Sequence, residues 1–440
     1  MKILFILPYI PYPLNSGGNQ ATYNMINKIK ESYNVSLLLR VETESDEQAI
    51  SSLQERWKDV CFFLYRPQNT QKETSAIETY PKTFSFRFFD AIQRSMERKT
   101  TRRIQKYRQE ITKTQNKTCD LVRQFSCLNK DTLNIPSNYL NYVHKISRQG
   151  FDLIQVEFYE CLPLVYILPE TAIKVFVQHE IRFIRNENEI NLFAEQKPND
   201  IYRLQIQKGI ELNALSHYDA IISLTEKDKN IMLKECPSLN IYVSPAMISL
   251  PKIHTNFSPA KELVFIGSGS HFPNADGLIW FCKNVLPILR KEEKTINLNV
   301  VGVWDEEIRT LIKNICHEVH FTGFIDDLSG FLSGKISIVP IRIGSGMRMK
   351  ILDSIMSFSP IVTTSKGCEG LPLIHKQNCL IADNPEDFAH ATKTLMNNIN
   401  LQKQYADKIH ADFTTVFQVN NLLERRMNFY KMFDPPTPTK

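Results

Sequence analysis

The sequence predicts an α/β fold made of two Rossmann-like domains facing across a cleft. Three observations carry this expectation. In the first third, short apolar runs ending in polar residues alternate with helical patterns. The pattern lapses at residues 244–260, "SPAMISLPKIHTNFSPA", which hold three prolines and no period. The alternation then restarts and continues almost to the end. Strands alternating with helices imply parallel sheets covered on both faces, and 440 residues exceed one ordinary core.

The elements follow in order. "KILFILP" is a buried strand, "NSGGNQATYNMINKIKES" a Gly-Gly loop opening a helix, and "NVSLLLRV" the next strand. "FDLIQVEF", "KVFVQHE" and "YDAIISLT" are later strands of the same unit. The second unit reads "ELVFIGSG", "DGLIWFCKNVLPILRKE", "NLNVVGV", "EEIRTLIKNIC", "VHFTGF", "KISIVPI", "RMKILDSIMSF", "PIVTT" and "CLIADN". The expected division is a first domain over 1–250, a second over 258–412, a helix over 416–433 packing toward the first domain, and a tail over 434–440. In such sheets ligands bind beyond the carboxyl ends of the strands, here in the cleft between the halves.

Composition excludes several classes. Apolar residues make up 42% and charged residues 23%, which is ordinary for a folded chain. No stretch approaches the roughly 20 apolar residues of a membrane span. "MKILFILPYIPYP" resembles the front of a signal peptide, but it lacks a small-residue cleavage site and prolines interrupt it, so it reads as a first strand. The nine cysteines are scattered without a C-x-x-C pair, which argues against a disulfide framework or zinc site and suits a reducing compartment. "CHEVH", Cys316 to His320, reads as a loop between helix and strand.

The net charge of +6 is concentrated. Residues 84–113 hold nine cations against three acids. Phe89, Ile92, Met96, Thr100, Ile104, Tyr107 and Ile111 form one stripe at helical spacing, with Arg94, Arg98, Arg102 and Lys106 opposite. This is a basic amphipathic helix. It fits packing on the first domain with a solvated cationic face, or contact with an anionic membrane surface or lipid-linked acceptor. Nucleic acid is not an expected partner.

The stretch that carries chemistry is "IVPIRIGSGMRMKILDSIMSF". Gly344, Ser345 and Gly346 follow a strand at its ligand end and open a helix near Met347. A helix N-terminus offers free backbone N–H groups and partial positive charge. Arg348 and Lys350 add full charges suited to a diphosphate. Asp353, one turn on, offers a carboxylate for ribose hydroxyls. The same residues also fit a plain strand-to-helix turn with surface cations. Gly17 and Gly18 form a second glycine turn after the first strand.

Beyond these residues, "FIGSGSHFPNADGLIWFCKNVLPIL", "VVGVW", "VHFTGFIDDLSGFL", "IVPIRIGSGMRMKILDSIMSFSPIVTTSKGCEGL" and "CLIADNPEDFAHATKTLM" come in the order and spacing of family-4 (group 1) glycosyltransferases. The second half resembles these retaining enzymes of the GT-B fold closely, over about residues 260–410. The first half resembles them more loosely, through "PYIPYPLNSGGNQ", "FDLIQVE", "VQHE" and "YDAIISLTEKD". The resemblance implies a nucleoside-diphosphate-sugar donor held mostly by the second domain and an acceptor on the first. It implies that Asp353 holds the ribose, backbone at Phe324 and Ile325 the base, and Gly18 the diphosphate. Gly17, Gly267, Arg342, Gly344, Ser345 and Gly346 are the other expected donor-binding residues, and His179, Arg348 and Lys350 the expected catalytic ones. His179 matches a family histidine near the donor sugar; it also fits a strand-end histidine capping local backbone.

Three departures stand out. Ser345 occupies a place where many relatives have a sugar-contacting Glu, and "GSGSHFPNADG" lacks their Arg and Lys. Arg348 and Lys350 are expected to supply that charge. Asp353 stands where Glu is usual.

The expected reaction is retaining transfer to a cell-surface glycan or lipid-linked acceptor, without metal or cofactor. The departing phosphate would take the acceptor's proton. Glu157 and Glu180 are acceptor-side candidates or structural acids. "IDD", Asp326-Asp327, reads as a helix start and not a metal motif. The expected location is cytoplasmic, with a peripheral position on the membrane's inner face as an option. A catalytically inactive sugar-nucleotide-binding scaffold and another GT-B enzyme such as an epimerase are the alternatives.

Overall fold

The computed structural model describes residues 1–14, 17–67, 128, 135–246, 261–291, 293, 296–325, 327–416 and 419–434. The basic segment 84–113, Asp326 and the tail beyond 434 lie outside the described residues.

The first domain runs β1 (Lys2–Ile6), α1 (Gly17–Ile29), β2 (Asn34–Arg40), α2 (Glu44–Arg56), β3 (Cys61–Tyr65), α3 (Ser137–Ser147) and β4 (Leu153–Glu157). A 3₁₀ segment (Tyr159–Ile167), β5 (Ile173–Gln178), α4 (Arg182–Asn191), α5 (Pro198–Leu215), β6 (Ala220–Ser223), α6 (Glu226–Glu235) and β7 (Ile241–Val243) complete it. The seven strands lie in the order β3-β2-β1-β4-β5-β6-β7, every pair parallel.

The second domain runs β8 (Leu263–Ile266), then α7 (Phe272–Trp280), which passes through a π turn (Phe281–Val285) into α8 (Leu286–Arg290). Then come β9 (Leu298–Val301), α9 (Glu306–Ile315), β10 (Val319–Gly323), α10 (Leu328–Leu332), β11 (Ile336–Val339), α11 (Met349–Met356), β12 (Ile361–Thr363) and β13 (Leu380–Ile381). Its six strands order as β10-β9-β8-β11-β12-β13, again all parallel. Helices α12 (Pro385–Asn397), α13 (Ile399–Val416) and α14 (Val419–Lys431) follow.

The central strands are apolar on both faces because helices cover both. Ile3, Leu4, Phe5 and Ile6 are all fully buried, as are Leu263, Val264 and Phe265. Strand order reverses between β1 and β4 in one sheet and between β8 and β11 in the other. At such switch points the loops diverge and leave a crevice. The loop after β11 carries Arg342, Gly344, Ser345, Gly346 and Arg348, and the loop after β8 carries Gly267.

Helix α14 lies against the first domain. Buried Arg426 donates to Ser244 Oγ (2.9 Å) and Ser244 O (3.3 Å) and meets the Met25 sulfur (2.8 Å). Tyr430 donates to Gln155 Oε1 at 2.6 Å. One buried apolar cluster joins Met25 and Ile29 of α1, Ile351, Leu352 and Ile355 of α11, and Phe429 and Tyr430 of α14. The two sheets therefore share part of one core. No helix among the described residues is long and apolar enough to cross a membrane.

Arg426→Ala should cost about 1.5–3 kcal/mol, because it leaves a buried carbonyl and hydroxyl without their charged donor. Urea unfolding of the full chain measures it, and an unchanged midpoint would show that these bonds do not hold the last helix.

Candidate active site

The loop after β11 meets the first domain through bare backbone. Gly346 has φ 77°, and a Cβ there would stand 2.1 Å from His179 O. Only glycine allows both the left-handed conformation and this approach. Ser345 Oγ accepts from Ile181 N–H at 2.6 Å and donates to Ile181 O at 3.3 Å. Gly344 N–H donates to Asn188 Oδ1 (3.2 Å) and Gly346 N–H to Asp228 Oδ1 (3.5 Å).

This arrangement corrects one sequence-based expectation. Gly344, Ser345 and Gly346 were assigned to the donor, but here the N–H groups of both glycines and the serine hydroxyl bond to the opposite domain. The glycines serve the close approach of two lobes.

Helix α11 begins at Met349 rather than near Met347, with Arg348 as its N-cap in extended conformation (φ −87°, ψ 93°). Ile351 N–H makes the first bond back, to Arg348 O at 3.0 Å, so the N–H groups of Met349 and Lys350 precede the intrahelical ladder. The Arg348 Nη1 donates to Ser345 O and, at 3.5 Å, to Gly346 O. Among the described residues its Nε and Nη2 are buried without a hydrogen-bond partner. Lys350 Nζ donates to Asn274 Oδ1 and lies 5.0 Å from the Phe265 ring centroid. Burial, then the neighbouring Arg348, push the Lys350 ammonium down to about 7. Burial alone pushes the Asp353 carboxyl up to about 7.

Facing them stands Glu180. Burial works against its charge, but Arg185, Arg182, His271 and Arg348 prevail and hold it at about 2. Glu180 Oε2 accepts from Arg185 Nη1 at 3.2 Å, and Arg185 Nε donates to Glu189 Oε1 at 3.2 Å. The start of α4 is set by Glu211 of α5, which accepts from Arg182 N–H (3.0 Å) and Phe183 N–H (2.9 Å). Glu211 is itself pushed up to about 7 by burial, against those two hydrogen bonds and one from Gln178.

His179 ends β5 and stacks flat on Phe158, centroids 3.8 Å apart at 4°. Its Nε2 bonds Glu157 Oε2 at 2.9 Å. Glu157 is 1% exposed, and its other oxygen accepts from Gln155 Nε2 at 2.7 Å. A carboxylate so enclosed has nothing to offer an acceptor, so the acceptor-side assignment of Glu157 is corrected to a support for His179.

The remaining assignments fall as follows. Arg342, given to the donor by sequence, spends its fork on buried Asp276, at 3.1 Å and 2.5 Å. Gly267 packs on Asn274, whose side chain a Cβ at 267 would meet at 2.7 Å. Phe324 is 53% exposed just past the edge strand β10, and Ile325 packs against the buried cluster of Val264, Val301 and Leu332. Asp327 caps α10, accepting from Gly330 N–H at 3.0 Å. Gly17 and Gly18 start α1, and α1 packs on α11. Sequence reasoning missed Asn188, Asp228, Asn274 and Arg185. Each is an ordinary helix residue until the fold brings it to the crevice, so no sequence signal marks it.

Comparisons with known proteins fit this geometry. Residues 260–398 match the family model described as Glycosyl transferases group 1. An uncharacterized 44.6 kDa protein in the cps region of Klebsiella pneumoniae is 28% identical over 153 residues. That alignment covers 33% of this chain and 39% of the relative's length. Among solved structures, S. aureus TarM, crystallised with fondaparinux, alpha-GlcNAc-glycerol and UDP, superposes with TM-score 0.65 at 12% identity over 99% of this chain and 100% of that one. Sucrose-phosphate synthase from Thermosynechococcus elongatus gives TM-score 0.63 at 12% identity, covering 98% of each chain. At such identities the likeness is one of fold.

Asp353 yields a prediction with a definite sign. Its folded carboxyl holds a proton up to about 7, whereas its ordinary value is 3.8. The resulting stability is complete below about pH 4 and is lost as pH rises through 7. Asp353→Asn removes that loss. The variant's stability relative to the parent should therefore grow by about 1–4 kcal/mol between pH 4 and 8 in urea unfolding. A difference that stays flat with pH would mean Asp353 is not held protonated.

Proposed function

From a second half that is a group 1 glycosyltransferase domain, set in a two-lobed GT-B frame, we propose that this chain moves a sugar from a nucleoside-diphosphate sugar to an acceptor with retention of configuration. The observation that carries this reading is the Arg348 guanidinium. It is a cation at the start of a helix with two buried nitrogens unpartnered. An unpaired buried donor costs about 1–3 kcal/mol, and more when charged. A diphosphate placed there satisfies both nitrogens and meets the N–H groups of Met349 and Lys350, together with the Lys350 ammonium.

The chemistry follows from where charge develops. As the glycosidic bond breaks, negative charge grows on the terminal phosphate of the leaving nucleotide. Arg348 and the start of α11 are fixed in place before that happens, so they stabilise it without reorganising. Asp353, three residues after Lys350, accepts from ribose hydroxyls. His179 stands across the interlobe contact, where the donor sugar would meet the acceptor. The departing phosphate oxygen takes the proton of the attacking hydroxyl on the same face, which retains configuration and needs no separate base or metal. UDP is the nucleotide to test first, since the TarM structure holds it. A glycan or lipid-linked acceptor is the proposed second substrate, and residues 84–113 are the proposed contact with an anionic surface.

Arg348→Ala should weaken UDP binding and lower turnover about 10²–10³-fold, the usual loss for one such donor. Calorimetric titration with UDP and donor hydrolysis without acceptor measure these. Unaltered affinity and rate would remove the phosphate assignment. Binding without hydrolysis by the parent protein would favour an inactive nucleotide-sugar-binding protein.

A further inference from the structure

We propose that Tyr430, Gln155 and Glu157 form a one-way hydrogen-bond chain that fixes the tautomer and pose of His179, so that the last helix positions the site from behind. The chain runs from α14 through β4 to the end of β5. Tyr430 Oη bonds Gln155 Oε1 at 2.6 Å, Gln155 Nε2 bonds Glu157 Oε1 at 2.7 Å, and Glu157 Oε2 bonds His179 Nε2 at 2.9 Å. Tyr430 and Gln155 are 0% exposed. Gln155 and Glu157 are two apart on one strand, so both project from the same face.

The direction is set from the acid. A carboxylate can only accept. Gln155 must therefore turn its NH₂ toward Glu157 and its carbonyl toward Tyr430. Facing a carbonyl oxygen, Tyr430 donates its hydroxyl proton to Gln155 Oε1. His179 meets an acceptor at Nε2, so its neutral ring carries the proton there. Among the described residues Nδ1 makes no hydrogen bond, which leaves its lone pair for a ligand hydroxyl. Phe158 fixes the ring plane. It has φ 68°, a strained conformation for a bulky residue, which persists only where the surroundings impose it. Stack and hydrogen bond together leave the imidazole one orientation. Tyr430, Gln155 and Glu157 are positioning residues; none needs to touch substrate.

The tautomer is independent of any activity, and only the rate effect rests on the proposed transferase reading. The experiment records two-bond ¹H–¹⁵N spectra of the full chain labelled in histidine nitrogen, unliganded at mildly alkaline pH, with the His179 signals identified by their loss in His179→Gln. The parent protein should show the Nε2–H form. In Glu157→Gln the new amide still accepts from Gln155, so its NH₂ faces His179 and the ring should switch to Nδ1–H. Tyr430→Phe frees the Gln155 amide to turn over and should move part of the signal the same way. With a turned-over donor, Glu157→Gln should lower kcat about 10–100-fold, the range for partners that orient a histidine, with donor KM unchanged. An Nδ1–H ring in the parent, or no switch in Glu157→Gln, overturns the chain. The expected switch without turnover of any nucleotide sugar by the parent would leave the chain standing and remove the transferase reading.

Discussion

The structure turns on one backbone contact, Gly346 against the carbonyl of His179. With φ 77° and no room for a Cβ, this glycine lets the start of α11 come within van der Waals reach of the end of β5. Everything else at the crevice follows from that distance. Ser345 reaches Ile181, Gly344 reaches Asn188, and Gly346 reaches Asp228, so three successive residues bond across the lobes. A side chain at 346 would push the lobes apart, and both Arg348 and Glu180 would be opened to water. The contact therefore controls the electrostatics as well as the shape.

The contact gathers charge of both signs. Arg185, Arg182, His271 and Arg348 act on Glu180 and keep it ionised down to about 2 against its burial. Arg185 is paired on both sides, and Lys350 leans on a neutral amide. Arg348 has carbonyls on one nitrogen and, among the described residues, no hydrogen bond on the other two. Glu180, Glu369 and Asp228 act on it through charge, against its burial. Buried donors without a hydrogen bond are costly. Two such nitrogens at a helix start remain open to an anionic acceptor.

Much of this was legible in the sequence. Two parallel α/β sheets followed from strand–helix alternation, because covered strands must be apolar on both faces and the prolines at 245, 251 and 259 break the rhythm between them. Arg348, Lys350 and Asp353 were legible because loop, cation and helix are contiguous in the chain. The role of Gly344–Gly346 was not. A glycine turn before a helix reads the same whether its N–H groups face a phosphate or another lobe, and their partners Ile181, Asn188 and Asp228 lie more than 100 positions away. Arg342 misled for a related reason: a cation near a ligand loop shows no sign in sequence that Asp276, on α7, already fills its fork. Glu157 looked like a free strand-end acid because nothing local reveals that the strand end is roofed by the last helix.

Lys350 and Asp353 share a consequence of burial. Burial drives one cation down and one acid up to about the same value, near 7. At neutral pH each is therefore close to losing its charge while the crevice is empty. Under the proposed function a nucleoside diphosphate supplies an anion to the lysine and hydroxyl donors to the aspartate, and both favour the charged forms. Donor binding would then release a proton at Asp353 and take one up at Lys350. The two exchanges offset each other, so the net proton count changes little while both contacts strengthen. The short Asp side chain suits this role: it keeps the carboxyl drawn back against α11, where burial can hold its proton until the ribose arrives.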